Sequence, residues 1–126
     1  MKLLFVLLGG AFGSGMRYLL AGFVNNQFKS AFPYGTIVVN VIGCLVAGLL
    51  GALLMDAANV REELRVGIFV GVLGGFTTFS AFGWETMALV RSEQYTLAAI
   101  NIIASTVLGL VAVWVGYKLG MIAQGV

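Results

Sequence analysis

The chain has 126 residues, of which 60% are hydrophobic and 10% charged, with a formal net charge of +2, one cysteine and no histidine. A soluble domain carries about a quarter charged residues, and so apolar a chain has too little polar surface to cover itself in water; in lipid the difficulty disappears, because the solvent is as apolar as the side chains. The small net charge offers no basic field for nucleic acid, a lone Cys44 excludes an intrachain disulfide, and the lack of histidine argues against a Cys/His metal site.

A bilayer core of about 30 Å needs about 20 apolar residues per helix. Four stretches meet that requirement, roughly 3–24, 35–57, 64–90 and 96–119. They predict an all-α membrane protein with four transmembrane helices, a single domain over 1–126. The first stretch opens with Lys2 and a Leu-rich run, as a signal peptide does. However, Gly9 and Gly10 follow, no A-x-A cleavage pattern appears, and Arg17 and Tyr18 fall in the same span. The first helix is therefore expected to stay. The separators 25–33, 56–63 and 91–94 are short and hold most of the charges and turn formers.

An even number of spans puts both termini and the 58–63 loop on one face. That face holds Lys2, Arg61, Arg65 and Lys118, against Lys29, Arg91 and the nearby Arg17 on the other. Orientation follows an excess of Lys and Arg on one side, and here there is almost none. This predicts dual topology: the chain inserts both ways and pairs as an antiparallel homodimer. Glycines within the spans, among them Gly9, Gly10, Gly13 and Gly15 in the first and Gly43, Gly48 and Gly51 in the second, are small residues of the kind that let membrane helices pack closely. They imply a tight bundle and an oligomer without naming a function.

The third span carries Gly74-Gly75-Phe76-Thr77-Thr78-Phe79-Ser80. Paired glycines and paired β-branched threonines are poor helix material, and Thr77 sits at the centre of the span. Two readings stay open. The helix breaks at the midplane, as in proteins that build ion sites from half-helices, or it runs intact and slightly kinked, with its threonines bonded back to their own carbonyls. A break near the two-fold axis of an antiparallel dimer would be presented twice. Carbonyls of Gly74 and Thr77 from each copy would then surround one point, which suits a small hard cation.

Polar residues recur on two helix faces: Thr36, Asn40 and Gly43 in the second span, and Asn101, Ser105 and Gly109 with Thr106 alongside in the fourth. Such faces turn to protein or water rather than lipid. They serve either as interhelical glue or as neutral donors that replace the water around a small anion without holding it too tightly. Phe79 and Phe82, three apart, are either core or ring edges facing an anion, since the edge of an aromatic ring is electropositive.

Three segments together, Gly9-Gly10-Ala11-Phe12-Gly13 with Arg17-Tyr18, Gly35 through Gly43, and GVLGGFTTFSAF from Gly71 to Phe82, resemble the Fluc fluoride channels, the CrcB family. The resemblance covers nearly the whole chain. It implies a dual-topology homodimer in the cell inner membrane, with two antiparallel pores and a central structural sodium ion, exporting fluoride passively. The partners so implied are fluoride, membrane lipid and a second copy of the chain. By the same resemblance Asn40 is the pore asparagine, Phe79 and Phe82 line the fluoride path, and Ser80, Thr36 and Glu85 lie near it. Gly74 and Thr77 give their carbonyls to sodium. Ser105 fits a track of hydroxyls on the last helix, from which Asn101 and Gly109 depart. Arg17 matches the arginine of the first helix and is expected to snorkel to a vestibule and draw anions in.

A competing class is the small multidrug exporter, also a four-helix dual-topology dimer, which couples protons through a carboxylate deep in its first helix. Here the first helix has Arg17 and no acid, and Glu85 is the acid inside a span. A non-transporting assembly subunit would need neither the weak point of the third span nor the polar faces. No nucleophile–base pair or cofactor loop points to an enzyme.

Overall fold

The computed structural model describes residues 1–126. It is all helical. Helix α1 runs Lys2–Phe28 and α2 runs Tyr34–Leu54. The third span comprises α3 (Glu62–Val66), a π-helical segment (Gly67–Leu73), a short α4 (Gly74–Phe76) and α5 (Phe79–Arg91). Helix α6, Tyr95–Ala123, completes the chain. Four helices, counting Glu62–Arg91 as one, are long and apolar enough to cross a membrane. Even the shortest, with 21 residues, reaches about 31 Å at 1.5 Å per residue.

Local chemistry sets the ends. Helix α1 outlasts its apolar stretch and stops where Lys29 turns left-handed at φ 43°, its N–H closing on Asn25 O. Pro33 precedes the first residue of α2, where its missing N–H costs nothing. The Asn25 side chain reaches across from α1 to accept the Gly35 N–H at 2.9 Å, satisfying one of the amides that a helix start leaves free.

Two close packings build the bundle. Helix α1 lies against the π segment and α4, and α2 lies against α6. Glycine makes both possible. A Cβ on Gly13 would strike the Val72 carbonyl, and one on Gly48 would strike the Val113 carbonyl. Gly75 likewise lies against the Gly10 backbone, whereas a Cβ on Gly15 or Gly51 would meet nothing within 4 Å, so the small-residue surface is only partly used inside one chain. The Lys2 ammonium meets the Glu62 carboxylate at 2.6 Å, which sets the starts of α1 and α3 on the same end of the bundle. Only 19 of the 126 residues are buried, and large apolar side chains are exposed along every long helix. That surface is the reverse of a soluble core and fits lipid as solvent.

Candidate functional site

The weak point of the third span organises everything around it. Thr77 and Thr78 have extended backbones (φ −81°, ψ 157° and φ −151°, ψ 119°), at the middle of the 30-residue span Glu62–Arg91. Helical bonding holds as far as Thr77, whose N–H and hydroxyl both reach Leu73 O at 2.9 Å. It fails at the next amide. The Thr78 N–H, which would close on Gly74 O in a continuous helix, donates to Asn40 Oδ1 at 2.8 Å, and Asn40 Nδ2 donates to Thr78 O at 3.0 Å. One side-chain amide thus gives Thr78 the two bonds that a neighbouring strand would supply. Thr78 Oγ1 then accepts the Ala81 N–H at 3.1 Å and caps α5. Extended geometry suits β-branched threonine, so the sequence and the Asn40 partner favour the same conformation.

The interruption exposes carbonyls. Gly74 O has lost its helical donor to Asn40, and Gly74 is exposed. Thr77 O accepts from Arg17 Nη1 at 3.3 Å, and Gly75 O has only a long 3.5 Å contact from Ser14 Oγ. Gly74 and Thr77 share an open cleft of about 390 Å³ with Asn40, Gly43, Thr78 and Phe79. Neutral carbonyl oxygens are the donor type a small hard cation takes; Gly74 O is free of its helical donor, while Thr77 O is shared with the Arg17 guanidinium. Arg17 differs from expectation. It does line a vestibule, but instead of simply snorkelling outward its guanidinium turns to the interruption and shares the Thr77 carbonyl. The physical reason is that a carbonyl released from helical pairing is a ready acceptor for a half-buried cation.

Most of the predicted anion residues fall into two groups. A vestibule of about 730 Å³ is lined by Arg17, Thr36, Ser80 and Glu85, together with Thr78 and Trp84. Thr36 Oγ1 donates to Glu85 Oε1 at 2.7 Å, while Glu85 Oε2 is buried without a partner. A smaller cleft of about 150 Å³ gathers Asn40, Phe79, Phe82, Ser105 and Thr106. The hydrogen-bonded Asn40–Thr78 pair stands between the two groups, Thr78 on the vestibule wall and Asn40 on the cleft wall. The Phe79 and Phe82 rings lie 5.4 Å apart, inclined at 37°. Phe79 is 84% exposed, so within this chain it is not core.

Asn101 is the exception among the predicted residues. It is 1% exposed and lines neither cavity. Its amide is spent inside the bundle, donating to Thr86 Oγ1 at 2.8 Å and accepting from Ser105 Oγ at 3.2 Å. Sequence reasoning passed over Thr78 and Thr86. Thr86 follows Phe82 by four residues and so lies on the same helical face, which was the available signal. Thr78 carried none beyond its place beside Thr77, because its role depends on a partner from another helix.

Residues 4–117 match the family model described as CrcB-like protein, Camphor Resistance (CrcB). The chain is similar to a protein of Methylobacillus flagellatus named fluoride-specific ion channel FluC, 44% identical over 119 residues, covering 94% of this chain and 93% of the relative. A protein of the same name from Solibacter usitatus is 44% identical, with 92% and 95% covered. One from Geobacter sulfurreducens is 45% identical over 107 residues, with 85% and 86% covered.

Proposed function

The chain belongs to the CrcB family, and from that membership we propose that it is a fluoride-selective ion channel of the cell inner membrane, which lets fluoride leave down its electrochemical gradient and so protects the cell from fluoride toxicity. It is a multi-pass membrane protein and not an enzyme. The observation that carries the reading from relatives to residues is the cleft where Asn40, Phe79, Phe82 and Ser105, drawn from three helices, converge beside a phenylalanine ring that the chain leaves bare.

In this reading the vestibule concentrates anions through the positive charge of Arg17. Thr78 and Ser80 offer hydroxyls on its wall, and Asn40 retains one N–H beyond the one given to Thr78. Neutral donors replace part of the hydration shell without trapping the ion. Beyond them the electropositive edges of Phe79 and Phe82 carry the anion along a path too apolar for a cation. Two copies pair antiparallel, which supplies a cover for Phe79 and presents the interrupted helix twice. The carbonyls of Gly74 and Thr77 would hold a sodium ion between the copies, and a bound cation there would draw the carbonyls of the two interrupted helices together.

Purified protein in liposomes, with fluoride and chloride efflux compared, tests the proposal. Fluoride should leave and chloride should not, and a Phe79→Ile, Phe82→Ile protein should lose fluoride flux by orders of magnitude. Such a volume-conserving swap costs under about 1.5 kcal/mol in stability. Normal fluoride efflux from the double variant would return both rings to a packing role, and equal efflux of both anions from the unaltered protein would sink the proposal.

A further inference from the structure

A line of hydrogen bonds runs from the backbone of α5 to the phenylalanine cleft, and each proton in it has only one possible direction. Phe82 O is a carbonyl and can only accept, so Thr86 Oγ1, at 2.7 Å, donates to it. Having given its proton away, Thr86 Oγ1 must accept from Asn101, which turns the Nδ2 end of the amide toward it at 2.8 Å. The amide oxygen then faces Ser105, whose hydroxyl donates at 3.2 Å. The backbone of one helix thereby sets the proton direction of a hydroxyl on another.

Two consequences follow for the cleft. With its proton on Asn101, Ser105 shows the cleft lone pairs, which repel an anion; to bind fluoride the hydroxyl must rotate. The bond it would give up is also the weakest in the line. At 3.2 Å it is longer than the usual 2.7–2.8 Å for O–H···O, whereas the inner bonds have ordinary lengths. The neighbouring Thr106 is held differently. Its hydroxyl donates to its own helix at Ile102 O, at 2.7 Å. Of the two hydroxyls on the cleft wall, Ser105 is therefore the one loosely enough held to be recruited.

We propose that Asn101, oriented by Thr86, is a positioning residue that parks the Ser105 proton in a weak bond and so keeps that hydroxyl available to fluoride. Asn101 touches no anion itself. The inference rests on the fluoride-path reading, and it assigns to Asn101 a task different from lining the path. Without the amide, Ser105 falls back on the carbonyl four residues earlier, as Thr106 does, and its proton is held more tightly.

The test combines flux with a spectroscopic readout. Asn101→Leu keeps the branched shape of the amide with larger methyl groups, at about 1–3 kcal/mol of overpacking, and leaves Thr86 donating to Phe82 O. Fluoride efflux should fall about tenfold, the scale of one neutral hydrogen bond. In a Ser105→Ala background the same replacement should change efflux by less than about twofold, because residues that act through one another are non-additive. An equal loss in both backgrounds would mean that Asn101 only ties α5 to α6. Side-chain amide resonances of detergent-solubilised protein during a fluoride titration supply the second measurement, with chloride as control. The Asn101 amide should shift as fluoride draws the Ser105 proton away, and should stop shifting in Ser105→Ala. Phe79 and Phe82 resonances that respond while Asn101 stays still would overturn the relay and leave the path intact. If neither ring nor amide responds, the path reading itself fails. If Ser105→Ala abolishes flux, the amide titration decides alone.

Discussion

Asn40 was expected to act through its free amide in an anion path, but the structure also gives it a mechanical task, and the two roles separate in a pair of replacements. Asn40→Leu removes both bonds to Thr78, the 2.8 Å bond from its N–H and the 3.0 Å bond to its carbonyl. Each buried group left without a partner costs about 1–3 kcal/mol, so stripping both costs about 2–6 kcal/mol by the same scale. Asn40→Asp keeps an acceptor for the Thr78 N–H but sets a second carboxylate oxygen against the Thr78 carbonyl. One group is orphaned rather than two, at about 1–3 kcal/mol, but the carboxylate charge inside the span adds about 2.5–3.5 kcal/mol. Unfolding by denaturing detergent, followed by the fluorescence of Trp84 and Trp114, should place both Asn40→Leu and Asn40→Asp below the unaltered protein. Fluoride efflux should be lost in both, in the aspartate variant because a negative charge faces the path. A purely pore-lining asparagine predicts something else: the leucine variant would be as stable as the parent, since Leu is at home in lipid. Parental stability in Asn40→Leu would refute the clamp.

Further outcomes are expected. Gly13→Ala forces a methyl onto the Val72 carbonyl and should destabilise by about 1–3 kcal/mol, the usual cost of overpacking, seen in the same detergent titration. Gly15→Ala meets nothing within 4 Å in the chain, so any loss of dimer that it causes, read by cross-linking, would map a surface used by a second copy. A Cβ at Gly74 has only Phe69 O nearby, at 3.7 Å, an ordinary contact. Gly74→Ala should therefore leave the single chain intact and lower sodium occupancy, read by ion replacement and anomalous scattering, more than Thr77→Ser, which keeps the hydroxyl on Leu73 O. Reporters fused to the C-terminus should be labelled from both sides of the membrane; labelling from one side alone would refute dual topology.

Much of the architecture was legible before folding. Composition and the 20-residue apolar runs require membrane helices because no other solvent accommodates them. Pro33 and the polar separators marked the ends to within a few residues. Gly13 and Gly48 pack as small residues do, backbone against backbone. Gly15 and Gly51 looked the same in sequence, because the order of residues does not say which side of a helix meets a neighbour, yet a Cβ on either would meet nothing within 4 Å in this chain. The motif resemblance singled out Asn40, Phe79, Phe82 and Ser105, and the structure brings these residues, up to 65 positions apart, to one cleft.

Partnership was not legible. Two glycines and two threonines announce a weak helix, yet whether it yields depends on what the freed amide finds, and that partner, Asn40, lies on another helix. The same holds for Arg17, whose charge deep in a span reads as snorkelling until an unpaired Thr77 carbonyl comes within reach. Asn101 and Ser105 share a helical face, so sequence put both on the path. The structure separates them by burying Asn101 against Thr86 of α5. Sequence determined where the apolar spans run and where the backbone is weak, because hydropathy and helix propensity are properties of contiguous residues. Tertiary structure decided which polar groups are consumed inside the bundle and which remain for an ion, because a hydrogen bond needs a partner that the order of residues does not name.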